Sequence, residues 1–169
     1  EPQNLLSNAS FENGLVGWSA SANAGTRTSN PSGHAGGAYF AAGPVVVGSL
    51  SQVVSLVDGG ADLTAIDAGD LRLIFGGRVQ SADEEVADRG QIQIEMLNAA
   101  NSVLGTAIAK ASDISDRWEL VGGDVALKPG TRHVRFTFTS TRQSGDTSDA
   151  YLSGAFVRLA HISYGVDAG

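Results

Sequence analysis

The segment Arg132–Ser140 alternates without a break: Val134, Phe136 and Phe138 fall on one side of an extended chain, Arg135, Thr137 and Thr139 on the other. Successive side chains of a strand point to opposite faces, so a period of two marks a strand with one face buried and one in water. The rhythm recurs at Gln91–Met96, where Ile92, Ile94 and Met96 oppose Gln91, Gln93 and Glu95. It recurs again where Leu71, Leu73, Phe75 and Val79 oppose Arg72, Arg78 and Gln80. Helical periodicity is nearly absent: Val57–Ala68 is interrupted by Gly59 and Gly60, and Ala107–Arg117 sustains no apolar stripe.

Ser49–Val57 and Tyr151–Ala160 are apolar on both faces, the pattern of strands covered on both sides or engaged at a partner contact. Turn chemistry separates the runs at Asn98–Asn101, Gly122-Gly123-Asp124 and Lys128-Pro129-Gly130, while Gly76-Gly77 falls inside a strand. With 22 glycines in 169 residues, the chain has the composition of many short strands joined by tight turns. It therefore reads as all-β, a two-sheet antiparallel β-sandwich of the jelly-roll kind. Residues 1–164 form one domain in this reading, and 165–169 are a tail or the start of a linker. The chain opens Glu-Pro-Gln-Asn without an initiator Met or signal-peptide core, as expected of a processed or excised piece of a longer protein.

Eleven basic against 18 acidic residues give a net charge of -7. Such a surface repels phosphate backbones and anionic lipid, so neither nucleic acid nor membrane insertion is expected. No apolar run approaches the roughly 20 residues of a membrane span, and no cysteine is present for disulfides or a thiolate metal site.

Catalytic constellations are missing from the sequence. His34, His133 and His161 are far apart, no Gly-x-Ser-x-Gly occurs, and the Gly-rich stretch Ala35–Gly37 does not link a strand to a helix. The acidic stretches Asp58–Asp70, which holds Asp62 and Asp67, and Asp83-Glu84-Glu85–Asp88 lack the fixed oxygen spacing of a calcium loop and read as solvated loop charge. No enzyme activity is expected.

Asn4-Leu5-Leu6-x-Asn8-x-x-Phe11-Glu12-x-Gly14, followed by Gly17-Trp18, resembles the opening of galactose-binding-like jelly-roll domains, among them bacterial carbohydrate-binding modules. Gly36–Phe40, Leu50–Val54 and Leu73–Ser81 are similar to their second, third and following strands. Pro129-Gly130-Thr131-Arg132 and the closing strand from Asp149-Ala150-Tyr151 complete the likeness. The resemblance implies a structural calcium ion held by Glu12, by carbonyls near the second strand and by an acidic residue of the closing strand. This chain departs there, with Ser153 and Gly154 where the acid is expected. Ser153 would be a neutral, weaker ligand. The simpler alternative has Glu12 bonded to backbone amides near the chain ends.

Sugar binding by such a fold calls for a flat aromatic and planar polar side chains. Trp18, Phe11, Phe75, Phe136 and Phe138 read as core, which leaves Trp118, Tyr39, Tyr151 and Tyr164, with Trp118 the best exposed platform. The outward polar residues are Arg78, Gln80, Gln91, Gln93, Glu95, Arg135 and Arg142. Of these, Arg78, Gln80, Gln91, Gln93, Arg135 and Arg142, with Trp118, form the expected ligand surface for a polysaccharide or cell-surface glycan. The plain alternative is that they solvate an exposed sheet face. The function expected is a non-catalytic carbohydrate-binding or recognition module of a larger secreted or cell-surface protein. Its rival is a fibre, spike or decoration domain of a phage or virus-like particle, held by homo-oligomer or particle contacts.

Overall fold

A computed structural model describes residues 3–162. Tyr164, the domain limit at 164 and the tail 165–169 lie outside the described residues. In chain order the strands are β1 (Ser19–Ala20), β2 (Gly25–Arg27), β3 (Tyr39–Ala41), β4 (Val47–Ser55), β5 (Leu71–Ser81), β6 (Arg89–Leu97), β7 (Val103–Lys110), β8 (Glu119–Ala126), β9 (His133–Thr141) and β10 (Ala150–His161). They form two five-stranded sheets, ordered β1-β4-β9-β6-β7 and β2-β3-β10-β5-β8, with every strand pair antiparallel. This is the all-β sandwich that the alternation predicts. Among the described residues helix is confined to a short 3-10 turn at His34–Gly36 and the short α1 (Leu63–Asp67), whose first turn Asp62 caps by accepting from Thr64 N–H. Neither is long enough to cross a membrane, and no helix of the described residues is.

The core lies between the sheets. Leu50, Ile92, Ile94, Phe136 and Phe138 come from the first sheet, and Phe40, Leu73, Phe75, Leu152 and Val157 from the second. Each such side chain, fully withdrawn from water, contributes about 1.5–3 kcal/mol. Trp18 and Phe11 are core residues as expected: their rings stack at 5.4 Å, and Trp18 meets Phe136 edge-on at 5.9 Å. The Asn98–Asn101 hairpin and the Lys128–Gly130 turn also fall where the sequence places them, the first closed by the Asn98 carboxamide oxygen, which accepts from Ala100 and Ser102 N–H.

Two local expectations are corrected. Gly122-Gly123 is no turn but part of β8, paired with Gly76 and Phe75 of β5. The two strands approach so closely that a Cβ on Gly76 would stand 2.4 Å from the Val121 carbonyl oxygen, and one on Gly122 would stand 2.2 Å from that of Phe75. Only glycine allows the crossing. Of the two readings of β4, cover on both faces is set aside and a partner contact is left: Leu50 and Val54 turn inward, while Val47 and Val53 stay 53% and 49% exposed. β10, in contrast, is occupied on both faces, with Leu152 and Val157 in the main core and Tyr151 in a second cluster beneath the loop before β3.

The amino-terminal segment is fastened by side-chain amides. The Asn8 carboxamide donates to the carbonyls of Gly14 and Val16 and accepts from Asn13 N–H. Asn4 donates to Ala155 and accepts from Val157 N–H on β10. Gln52 occupies an inward position of β4, and its carboxamide pairs with both the N–H and the carbonyl of Ser7. A buried amide is tolerated there because its polar atoms are satisfied.

Candidate functional site

The outward side chains of the first sheet line up across its strands. Val134, Phe136 and Phe138 face the core, so Arg135, Thr137 and Thr139 face out, and pairing sets the rows. In one row Ser49, Thr139, Gln91 and Lys110 are successive partners. In the next come Ser19, Ser51, Thr137, Gln93 and Ile108. A third runs Val53, Arg135, Glu95 and Thr106, closed by an Arg135–Glu95 ion pair at 3.1 Å. The middle of this face is a pavement of hydroxyls and carboxamides, without an aromatic ring.

At one end the pavement opens into a cavity of about 460 Å³ lined by Arg89, Gln91, Lys110, Asp113, Thr139 and Thr141. Asp113 accepts from Gly90 N–H at 3.1 Å. Burial holds its carboxyl above the usual carboxylate range, opposed by that hydrogen bond and by Arg89. Hydroxyls, amides, two cations and a carboxyl in one recess can donate to and accept from a polyhydroxylated molecule.

The structure divides the expected ligand surface. Gln91, Gln93 and Arg135 share the first sheet's outer face. Arg142 follows the end of β9, where its guanidinium is tied to the Asp146 carbonyl. Arg78 and Gln80 are on β5, so they face out from the other sheet and cannot meet the same ligand. Gln80 is not exposed at all: it is 7% accessible and donates to the Ser115 carbonyl at 2.7 Å. Trp118 is half-buried rather than an open platform. Its ring packs on Tyr39 at 5.1 Å and its indole N–H donates to the Ser32 carbonyl. Tyr39 and Tyr151 are buried outright, their rings 5.1 Å apart. Burial pushes both phenols upward. These aromatics clamp the loop from Ser29 to Ser32 onto the second sheet, with Tyr39 Oη donating to the carbonyls of Ser29 and Pro31.

The surroundings of Ser153 and Glu12 do not favour the expected calcium ion. Ser153 pairs across the strands with Arg78 on the outer face of the second sheet, where a dication would stand beside a guanidinium. Glu12 is exposed, not stapled to backbone amides. The carbonyls of Gly14 and Val16, in the loop beside Glu12, are already taken by the Asn8 carboxamide. Among the described residues, the one group of three acidic or histidine side chains with ligand atoms close enough for a cation is Glu84, Asp88 and Asp149, all within 4.8 Å of one another.

That group corrects the reading of the acidic loops as solvated charge. Asp88 is fully buried, and its carboxylate accepts from the N–H groups of Gln143, Ser144 and Asp149. Asp149 takes the hydroxyls of Thr147 and Tyr151. Burial, then hydrogen bonding to Asp149 and the charge of Asp88, holds the Glu84 carboxyl above its ordinary range. Hydrogen bonds thus already occupy the oxygens of Asp88 and Asp149. In the other loop Asp67 binds Arg132 at 2.8 Å and accepts from Gly130 N–H, which lowers its pKa to about 2.

Arg89, Lys110, Asp113 and the threonines of β9 were not singled out as site residues from sequence. Their signal is the strand register, which the alternation alone does not carry.

No protein-family model matches the chain, and no curated protein does. Solved structures do. The enzymatically active domain of tailspike protein 4 of bacteriophage CBA120 superposes with a TM-score of 0.69 at 12% identity, over 93% of this chain and 21% of that one. This chain thus spans about a fifth of the tailspike chain. The CBM22-1 xylan-binding domain of Paenibacillus barcinonensis Xyn10C gives 0.59 at 17% identity, over 96% and 97% of the two chains. TmCBM61, solved with β-1,4-galactotriose, gives 0.55 at 18%, over 95% and 99%. At these identities the likeness establishes the jelly-roll fold shared with carbohydrate-binding modules.

Proposed function

We propose that this chain is a non-catalytic carbohydrate-binding module that presents the outer face of its first sheet to a polysaccharide or cell-surface glycan. The observation that carries the reading is the pavement itself. Gln91 and Gln93 lie beside Thr137 and Thr139 across β6 and β9, and none of these side chains makes a hydrogen bond to another described residue. Planar amides and hydroxyls at strand spacing match the donors and acceptors of a sugar chain. Arg135, braced by Glu95, adds a fixed donor at the border. Near full-length likeness to modules that bind xylan and galactotriose supports the ligand class. A place outside the cell or on its surface follows from that ligand.

Affinity electrophoresis against a panel of neutral plant, algal and bacterial polysaccharides tests the reading. Retardation by at least one polymer is expected. The double substitution Gln91→Ala, Gln93→Ala should weaken it about tenfold or more, at about 1 kcal/mol per lost hydrogen bond. Silence across the panel, or retention unaffected by the double substitution, refutes it.

The tailspike likeness favours a second reading, a domain of a phage or virus-like particle held by contacts between copies. Light scattering separates the two: a stable trimer or pentamer supports the particle component, a monomer the appended module.

A further inference from the structure

The outer face of the second sheet has a different chemistry. Phe75 and Val79 turn inward, so Arg72, Ile74, Gly76 and Arg78 of β5 face out. Opposite them on β10, Phe156 pairs with Gly76, Arg158 with Ile74 and Ser153 with Arg78. On β8, Gly122 and Asp124 pair with Gly76 and Ile74. Phe156 lies against the glycine shelf: a Cβ added to Gly76 would stand 2.8 Å from its ring. The Arg158 guanidinium rests over the ring, 5.0 Å from its centroid. Along β5, Arg78 stands about 7 Å from the Gly76–Phe156 row and about 13 Å from the Ile74–Arg158 row, at roughly 3.3 Å per residue.

Four arginines therefore share this outer face: Arg72 is paired to Asp124 at 2.9 Å, Arg27 is held by the Tyr151 ring and hydroxyl, and Arg78 and Arg158 remain. Arg78 and Arg158 form no ion pair among the described residues, on a chain of net charge -7. The Arg158 Nε is buried without a hydrogen-bond partner. That nitrogen is closed to solvent, so a carboxylate or sulfate arriving at this face would pair with the terminal nitrogens of the Arg158 fork. The exposed apolar residues of the face, Ile74 and Leu120, are 39% and 57% accessible. They stand four pairing rows apart, at Asp124 and Arg78 respectively, with the two glycines and Phe156 between them, the Phe156 ring covered by the Arg158 guanidinium. The face therefore lacks the contiguous apolar centre of a protein interface. Flat backbone flanked by two forked donors suits a chain of acidic sugar rings.

We propose that Arg78 and Arg158, on either side of the Phe156 and Gly76 shelf, form a second binding face for a carboxylated glycan. It is independent of the neutral-glycan reading of the other sheet and stands if that reading falls. The probe is polygalacturonate, with highly methyl-esterified polygalacturonate as its uncharged counterpart. Affinity electrophoresis should show retardation by the acidic polymer only, weakening as salt rises. Arg78→Gln and Arg158→Gln should each reduce the affinity about tenfold, the strength of one charge-assisted contact. Arg78→Lys and Arg158→Lys, which keep charge but lose the fork, should fall between, and near-ultraviolet circular dichroism confirms that each variant is folded. Gln93→Ala, on the other sheet, should leave this binding unchanged. Equal retardation by the esterified polymer, loss with Gln93→Ala instead of the arginine variants, or no retardation by polygalacturonate overturns the proposal. So does a dimer in light scattering that Arg78→Glu dissolves, because the face would then be a protein contact.

Discussion

Replacing Asp88 with alanine removes a carboxylate that three backbone amides share, those of Gln143, Ser144 and Asp149. These amides belong to the loop between β9 and β10, so Asp88 fastens that loop to the segment before β6. A hydrogen bond to a charged group contributes about 1.5–3 kcal/mol, and a buried donor left unpaired costs about 1–3 kcal/mol. The three contributions do not add in full. Gln143 is exposed and water can reach its N–H, and removing one charge relieves repulsion from Glu84 and Asp149. A loss of about 3–4 kcal/mol is expected, a large share of the stability of a typical domain. For a chain of this size that lowers the melting temperature by about 6–16 °C. Urea denaturation followed by tryptophan fluorescence measures the change, with the m-value held as the control for two-state unfolding. Asp88→Asn keeps one acceptor and turns an NH2 group toward an amide, so its loss should be about half as large. If alanine costs less than about 1 kcal/mol at unchanged m, the carboxylate is solvated charge and the account of this loop is wrong.

Other consequences follow from the same contacts. The raised pKa of Glu84 means the folded chain holds a proton that the unfolded chain releases at lower pH. Its contribution to stability is present below the ordinary glutamate value near 4.5 and is lost as pH rises through the raised value. Glu84→Gln should therefore flatten the stability profile across that window and raise stability above it. Urea midpoints measured through the acid range check this, and a profile parallel to wild type refutes it. Asp67 has the opposite sign: its depressed pKa of about 2 supports the fold above 3.8 and the support fades as pH falls toward 2. In Arg132→Met, nuclear magnetic resonance should find the Asp67 titration moved up toward 3.8, the usual aspartate value. Gly76→Ala forces a methyl group against the Val121 carbonyl and the Phe156 ring, which should cost about 1–3 kcal/mol in thermal unfolding. No loss would mean the strands can part freely.

Phe136, Phe138, Ile92 and Ile94 could be assigned to the core from sequence because a strand with one wet face must repeat every two residues. The same rule placed Gln93 and Arg78 on the outside, and both point outward. A sandwich, however, has two outsides. Alternation separates inward from outward but carries nothing about which sheet a strand joins, so β5 and β6 read alike and their outward residues look like one ligand surface. Gln80 and Trp118 failed for another reason. They are covered by loops at 28–37 and 112–118, and loop closure leaves no periodic trace. Asp88 looked like solvated charge because its partners lie 55 to 61 residues away. A carboxylate in a polar loop gives no sign of the amides it will meet. The Gly122-Gly123 pair read as a turn because glycine permits both a turn and a close strand crossing; only pairing with Gly76 selects the second.

The placement of the aromatics decides what kind of recognition this sandwich can offer. Phe11, Trp18, Phe40, Phe75, Phe136 and Phe138 fill the interior, and Tyr39, Tyr151 and Trp118 hold a loop on the second sheet. On the proposed reading the middle of the first sheet's face, without a ring to stack on a sugar, binds by hydrogen bonds. Each exchanges a bond to water for a bond to ligand and nets about 1 kcal/mol. Four or five such bonds give only about millimolar affinity for one short oligosaccharide. A module built this way gains useful retention on a long polymer, where many equivalent registers and neighbouring modules raise the effective concentration. On the proposed readings the arginine face depends on charge, so its binding weakens as salt screens it, whereas contacts to the uncharged Gln91, Gln93, Thr137 and Thr139 respond little. Salt dependence read together with the Gln93→Ala and Arg78→Gln variants therefore tells the two faces apart.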